Sequence, residues 1–222
     1  MKKKRIIFCD FDGTITTSDN IIAIMKEFAP PEWEPIKDQI LAQEISIKEG
    51  VGKLFSTIPS QQKDEIQQFL FKYVVIRDGF EAFVHYTHKE NIELKIVSGG
   101  IDFFVYPLLR PYDLEDHIYC NGSDFSGEKI RITWPYSCDE KCSNDCGCCK
   151  PSILRTYPDE DYFKIVIGDS VTDLEAAKIA DQVFACDDYL AEKCEKLNLP
   201  FDRFTSFHEI INQLEQNKEV TS

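Results

Sequence analysis

The chain has 222 residues, 43% of them hydrophobic, which suits one substantial domain or a core domain with a smaller insert. Its formal net charge is −14, and the only dense positive cluster is the opening Met1-Lys2-Lys3-Lys4-Arg5, so a nucleic-acid partner held by a basic face is not expected. No apolar run is long enough to cross a bilayer, and the apolar stretch behind the basic start is too short for a signal-peptide core, so the reading is a cytoplasmic protein without a membrane partner.

The first predicted element is a strand, Arg5-Ile6-Ile7-Phe8-Cys9, apolar enough to be buried on both faces as in a parallel sheet covered by helices. It ends in Asp10 and Asp12, with Gly13 and Thr14 directly behind. A turn at Phe11-Asp12-Gly13 would bring both carboxylates to one cleft at the carboxyl edge of the sheet, where open α/β folds bind ligands. Two adjacent anions repel unless a cation lies between them, which points to Mg²⁺. A plain Asp-Gly bend is the competing explanation of this stretch.

Four helices are then predicted. Residues 20–28 carry Ile21, Ile22, Ile24, Met25 and Phe28 at helical spacing, stopped by Pro30-Pro31. Residues 33–41 place Trp33, Ile36, Ile40 and Leu41 on one face. Residues 46–55 begin with Ser46 and Glu49 at capping-box spacing, and residues 60–73 are capped by Ser60. The span 19–75 therefore reads as a small helical bundle inserted into a core made of 1–18 and 76–222.

Beyond it, a helix to about Lys89 leads into a second core strand, residues 93–98, that ends in Ser98-Gly99-Gly100. A helix over 101–109, a short strand over 116–120 and a β-hairpin around 122–134 with a Ser126-Gly127 turn follow. The cysteine-rich run 138–149 leads to Lys150-Pro151 and a helix to about Tyr157. Residues 162–167 form another apolar strand, ending Gly168-Asp169-Ser170-Val171-Thr172-Asp173 and passing into a helix to about Ala180. A last strand over 182–186 and helices over 188–197 and 206–217 close the chain, whose final few residues should fray. Strands alternate with helices throughout, so the fold class is α/β with a mostly parallel sheet, a three-layer Rossmann-like core and an inserted helical cap.

Four polar features thus fall at strand ends or a helix start: Asp10/Asp12, Ser98, Lys150 and Asp169/Asp173. All should face the same edge of the sheet. Taken singly, Ser-Gly-Gly is an ordinary turn, Lys before Pro a solvated residue, and Gly-Asp a helix cap. An Asp-Gly bend explains none of the other three, and their shared placement is the main functional signal.

In this order the motifs resemble the haloacid dehalogenase-like phosphatase superfamily: Asp10-Phe11-Asp12-Gly13-Thr14 for D-x-D-G-T, Val97-Ser98-Gly99-Gly100, Lys150, and Gly168-Asp169…Asp173 for G-D-x-x-x-D. The resemblance implies a Mg²⁺-dependent phosphomonoesterase acting on a small phosphorylated metabolite; a monomer or homodimer is expected. It implies Asp10 as nucleophile and Asp12 as acid and base. It implies Ser98, Gly99, Gly100 and Lys150 as phosphate ligands. The metal would be held by Asp10, the Asp12 carbonyl and Asp169, with Asp173 behind. The helical insert sits where this superfamily carries a small cap.

Within the superfamily the Val-Ser-Gly-Gly form and the helical cap resemble the phosphoserine-phosphatase branch. That branch grips an amino acid with a cap carboxylate and an arginine. Asp19 could supply the first, but the 46–55 helix has Gly50, Gly52 and Lys53 and no arginine, which suggests a substrate without a carboxylate. The cysteine run and Trp134-Pro135 resemble a methionine-salvage branch, which implies an enol phosphate with an uncharged thioether tail. Phosphoserine, or another small phosphometabolite, stays open as substrate.

Nine cysteines and no export signal argue against a disulfide framework. Five of them, Cys138, Cys142, Cys146, Cys148 and Cys149, stand close enough to hold one structural Zn²⁺. Reduced structural thiols or a redox-sensitive loop are the alternatives, and a non-catalytic metal- or redox-sensing protein is the reading of a different class. Cys9, Cys120 and Cys186 read as small buried hydrophobes in strands, and His85, His88, His117 and His208 as ordinary helix or surface residues.

Overall fold

A computed structural model describes residues 3–219; the frayed ending expected for the last residues lies outside them in part. The first strand, β1 (Lys4–Cys9), becomes more buried residue by residue along its length. Ile7 and Cys9 enter one apolar cluster and Ile6 and Phe8 another, on opposite faces of the sheet. A strand buried on both sides must have helices on both sides, and that sets the three layers.

Seven strands form one sheet in the order β4-β3-β2-β1-β5-β6-β7. They are β1, β2 (Glu93–Ile101), β3 (Ile118–Asp124), β4 (Arg131–Thr133), β5 (Tyr162–Gly168), β6 (Gln182–Ala185) and β7 (Phe201–Arg203). Every adjacent pair is parallel except β3 and β4. β1 is central, paired from Cys9 to Ile96 on one side and to Ile167 on the other. The strand ends that carry Asp10, Ser98 and Asp169 are therefore neighbours.

The expected fold class holds, and the differences are local. β2 runs on through Ser98-Gly99-Gly100 to Ile101, with a register shift against β3 between Val97 and Ile101. β3 starts and ends later than the predicted 116–120 strand, and its second half is the first arm of the predicted hairpin, pairing Gly122 with Thr133. β7 was not predicted. Three residues joined to β6 have too few side chains to show a period, and only pairing with Val183–Ala185 makes them a strand. Cys186 lies one residue past β6 and is half-buried, so it is not a strand residue as expected.

Helices α1 (Asn20–Phe28), α2 (Trp33–Leu41), α3 (Ile47–Phe55) and α4 (Lys63–Tyr73) follow β1. Asp19 caps α1 and Ser46 caps α3 through their side-chain oxygens. The two helices α2 and α3 meet at Gly50, where a Cβ would stand 2.2 Å from Ile40 Cγ1. The glycine lets the backbones approach. Leu41, expected on the buried face of α2, is 73% exposed; it is the last residue of the helix, and Ile40 before it is the one that packs on Gly50.

The remaining helices are α5 (Phe80–Lys89), α6 (Asp102–Leu109), α7 (Lys150–Arg155), α8 (Val171–Ala177), α9 (Asp188–Lys196) and α10 (Phe207–Glu219). Phe80, Phe83 and Phe207 join α5 to α10 on one face of the sheet. Ile153, Leu154 and Ala176 bring α7 and α8 onto the other. No helix among the described residues is long and apolar enough to cross a membrane.

Candidate active site

The chain turns sharply after β1. Asp10 keeps extended backbone and donates its N–H to Ile167 O (2.9 Å), still in register with β5. Phe11–Ile15 then form one wide turn, closed by Thr16 N–H on Phe11 O (2.9 Å). Gly13 has φ 81°, and a Cβ there would lie 2.5 Å from Asp169 Oδ2. Glycine is required twice over, by the left-handed backbone and by the approach of that carboxylate. Two arms hold the turn: Arg77 Nη2 donates to Gly13 O (2.7 Å) and Arg77 Nε to Thr14 O (2.6 Å).

The turn separates the two carboxylates. Asp10 is 6% exposed and accepts a hydrogen bond from Lys150 Nζ (2.8 Å). The Asp12 carboxylate swings away to the start of α1, where Oδ1 accepts from Asn20 Nδ2 (2.7 Å) and Asn20 N (3.1 Å). Its other oxygen accepts from Ser98 Oγ (3.4 Å).

Lys150 opens α7 and is buried, its ammonium also donating to Asp173 Oδ1 (2.5 Å). Asp173 Oδ2 takes Ser170 N (3.0 Å), Asp169 N (3.2 Å) and Ser170 Oγ (3.0 Å), the reciprocal cap of α8. Asp173 is thus fully engaged by protein donors. Asp169 Oδ1 accepts from Thr14 Oγ1 (2.7 Å). Carboxylate oxygens of Asp10, Asp169 and Asp173 lie within 4.8 Å of one another.

Charge follows from this geometry. Burial pushes the Asp10 carboxyl well up, the Asp173 charge adds to that, and Lys150 opposes it. Burial, then Asp173, raises Asp169 to about 6. Burial, then the Asp19 charge, raises Asp12 to about 7, with Asn20 pulling the other way. For Lys150, burial disfavours the charge, but Asp10 and Asp173 outweigh it and hold the ammonium protonated. One buried cation among three carboxylates leaves the cluster short of positive charge. Hard oxygen donors at this spacing suit Mg²⁺, so the residues fit the ion that the acidic pair calls for.

The four predicted features therefore do meet. Ser98 is buried, and its hydroxyl accepts the Gly100 N–H (2.8 Å), which occupies that amide. Gly99 faces open space, and its carbonyl accepts from Asn121 Nδ2 (2.7 Å). Of the five cysteines, Cys138, Cys142, Cys146 and Cys149 bring their sulfurs within 4.8 Å of one another. Cys148 leaves the group, packs with Ile6 and Phe8, and points its thiol at Tyr119 O (3.6 Å). Sequence reasoning missed Asn20, Arg77 and Asn121. Only an Asn directly after the Asp19 cap hinted at the first, and nothing in the pattern marked the other two.

A model of haloacid dehalogenase-like hydrolases matches residues 7–178. The chain belongs to this family. Among its relatives, a protein of Geobacillus thermodenitrificans is 57% identical over 97% of this chain and 98% of its own length, and carries the name 2-hydroxy-3-keto-5-methylthiopentenyl-1-phosphate phosphatase. Proteins of the same name from Brevibacillus brevis and Bacillus cereus are 57% and 52% identical, over 97% and 96% of this chain and 97% of their own lengths. A solved substrate-bound phosphoserine phosphatase covers 96% of this chain and 99% of its own at TM-score 0.71 and 18% identity, a likeness of fold. This haloacid dehalogenase-like hydrolase also has a cavity of about 530 Å³ that none of Asp10, Asp12, Asp169 and Asp173 lines, in a cleft between α3 and β4 walled by Lys48, Gly52, Arg131 and Trp134.

Proposed function

We propose that the chain is a Mg²⁺-dependent phosphomonoesterase of methionine salvage. It converts 2-hydroxy-3-keto-5-methylthiopentenyl-1-phosphate to 1,2-dihydroxy-3-keto-5-methylthiopentene. The observation that carries the chemistry is the unequal pair at the end of β1. Asp10 lies beside a buried ammonium, while Asp12 sits past the turn with its carboxyl raised to about 7. A general acid must be protonated near neutral pH, as the raised Asp12 is, and a nucleophile must be ionised, which the Lys150 ammonium favours at Asp10 against the burial and the Asp173 charge that push its carboxyl up.

Asp10 attacks phosphorus, and the bond to the enol oxygen breaks as the aspartyl-phosphate forms. Asp12 gives its proton to the leaving oxygen. It then takes a proton from the water that attacks the aspartyl-phosphate, releasing phosphate and restoring Asp10. Ser98 Oγ and the Gly99 amide bind phosphoryl oxygens, with Gly100 contributing once Ser98 turns toward substrate. Lys150 steadies Asp10 and the phosphoryl group together. Asn20 orients Asp12 through two hydrogen bonds. Mg²⁺, held by Asp10, the Asp12 carbonyl and Asp169 with Asp173 behind, would offset the repulsion between carboxylate and phosphate and stabilise the charge of the transition state.

The substrate assignment rests on the names of relatives 57% identical over nearly the whole chain. It is supported by the span 19–75, taken as the cap, which holds no arginine to meet an amino-acid carboxylate. The nearest in sequence, Arg77, is spent on the Gly13 and Thr14 carbonyls, and Arg131, which walls the cleft beside α3, is paired with Asp124. We place the enzyme in the cytoplasm as a monomer or homodimer without membrane partners, and its net charge of −14 offers nucleic acid no basic face.

The test is phosphate release from the enol phosphate generated in situ, compared with phosphoserine, with and without Mg²⁺. A kcat/KM at least about 100-fold higher for the enol phosphate is expected, a ratio within reach of pocket contacts alone. Equal or better turnover of phosphoserine would reject the substrate and leave the mechanism standing.

A further inference from the structure

The loop before Lys150 gathers sulfur in a way that the carboxylate chemistry does not use. Residues 138–149 contain no helix or strand. Such a loop could scatter its side chains, yet Cys138, Cys142, Cys146 and Cys149 place all four Sγ atoms within 4.8 Å of one another, Cys142 and Cys146 at 3.9 Å. All four are free thiols. Four sulfurs about 2.3 Å from a common tetrahedral centre stand about 3.8 Å apart. A disulfide needs about 2.05 Å between sulfurs, so the observed pair is spaced for a metal rather than a bond.

The surroundings are those of a thiolate site. Ser152 Oγ donates to Cys149 Sγ (2.9 Å), and Cys146 N–H donates to Cys138 Sγ (3.4 Å). Arg155 holds Asp139 with two hydrogen bonds (2.5 and 2.7 Å) and also reaches Ser152 Oγ (3.3 Å), bracing the helix against the loop. Donors aimed at sulfur and a fixed cation behind them are what offsets the excess negative charge of four thiolates on one divalent ion. Asp145 and Gly147 carry φ of 50° and 82°, bends that fold the loop back on itself between the ligands.

We infer that Cys138, Cys142, Cys146 and Cys149 form a tetrathiolate Zn²⁺ site that fixes this loop, and that Cys148 takes no part. Binding releases the four thiol protons to solvent as the four Zn–S bonds form. All-sulfur, four-coordinate surroundings select zinc over the hard cation suited to the carboxylates. The ion would hold two things at once. Cys149 directly precedes Lys150 and accepts the first turn of α7 at its carbonyl (Ile153 N, 3.1 Å). Asp145, between two ligands, takes Ser46 Oγ (2.7 Å), Lys48 N on its carbonyl (3.2 Å) and Lys48 Nζ (3.3 Å), all at the start of α3. The site thus ties the lysine of the cleft to the helices above it. The inference is independent of the substrate assigned to that cleft.

The experiment is zinc reconstitution of the full chain under reducing conditions, desalting and elemental analysis, followed by cobalt substitution. About one zinc per chain is expected, and an intense visible band of tetrahedral tetrathiolate cobalt. Cys142→Ser should drop zinc to below about a tenth per chain, while Cys148→Ala and Asp169→Asn keep it. Less than a tenth of a zinc in the unmodified chain, a cobalt spectrum of six-coordinate oxygen type, or loss of the band in Asp169→Asn would each overturn the site. The spectrum of the unmodified chain decides the matter even if Cys142→Ser fails to fold.

Discussion

Lys150 joins two clusters: its ammonium reaches Asp10 and Asp173, which stand with Asp169, and its chain neighbour Cys149 is one of four converging thiols. Both groups converge within 4.8 Å, but they are assembled by different means. The carboxylates come from the ends of β1 and β5 and from the first turn of α8, and are brought together by the register of β1 with β5. Their hydrogen bonds come from the scaffold: Thr14, Ser170, Lys150 and the backbone. The thiols come from twelve consecutive positions, 138–149, with no sheet to place them. A site carried by a sheet can afford to stay short of positive charge and open to substrate. A site made by a loop has to supply its own order, and a closed shell of ligands does that. On the roles proposed here, similar clustering serves turnover in one place and structure in the other.

The largest expected effect would break the catalytic half of this comparison. Asp10→Asn should lower kcat/KM by at least about 10³-fold, roughly 4 kcal/mol of transition-state stabilisation, with the circular dichroism spectrum unchanged. An unaltered rate would remove Asp10 from the chemistry. Next, Lys150→Ala should cost about 3–5 kcal/mol in urea unfolding, because Asp10 and Asp173 are left buried without their cation. A loss under about 1 kcal/mol would mean that the cleft already admits water enough to screen them.

A smaller effect tests the missing positive charge. Asp12 and Asp169 are raised from 3.8 to about 7 and about 6, so the folded metal-free protein binds protons more tightly than the unfolded chain. Their contribution is complete below pH about 4 and is lost as pH rises through those values. Stability without metal should thus fall by about 2–4 kcal/mol from pH 5 to pH 8, and Mg²⁺ should restore more of it at pH 8. A Mg²⁺ shift in melting temperature that is equal at both pH values would count against the ion's neutralising those carboxylates. Smallest, Asn20→Ala should reduce kcat about tenfold with little change in KM, since it frees Asp12 without removing it. A change confined to KM would assign Asn20 to substrate binding instead.

Much of this was legible before any coordinates. The apolar strand stopping at Asp10, the Ser98-Gly99-Gly100 end, Lys150 before Pro151 and the Gly168–Asp173 run each state their local structure, because strand burial, glycine turns and helix caps are decided by near neighbours. What neighbours cannot decide is partnership across the sheet. Nothing close to Arg77 in sequence says that it spans back to Gly13, and nothing beside Asn20 says that it will hold Asp12. The same limit explains β7, which is a strand only because β6 lies next to it. Cys148 shows it most plainly. In the sequence it is indistinguishable from Cys146 and Cys149, and only the core around Ile6 and Phe8 draws it out of the cluster.

The sequence by itself determined the α/β alternation, the order of the four motifs and the crowding of sulfur ahead of Lys150. Those follow from local patterning and composition. The tertiary structure alone decided that Asp12 turns from the metal-seeking carboxylates to Asn20, that Asp173 is taken up by Lys150 and the cap of α8, and that four of the five crowded cysteines converge. These outcomes depend on strand register and on which face of the sheet each side chain enters, and both are properties of the assembled chain.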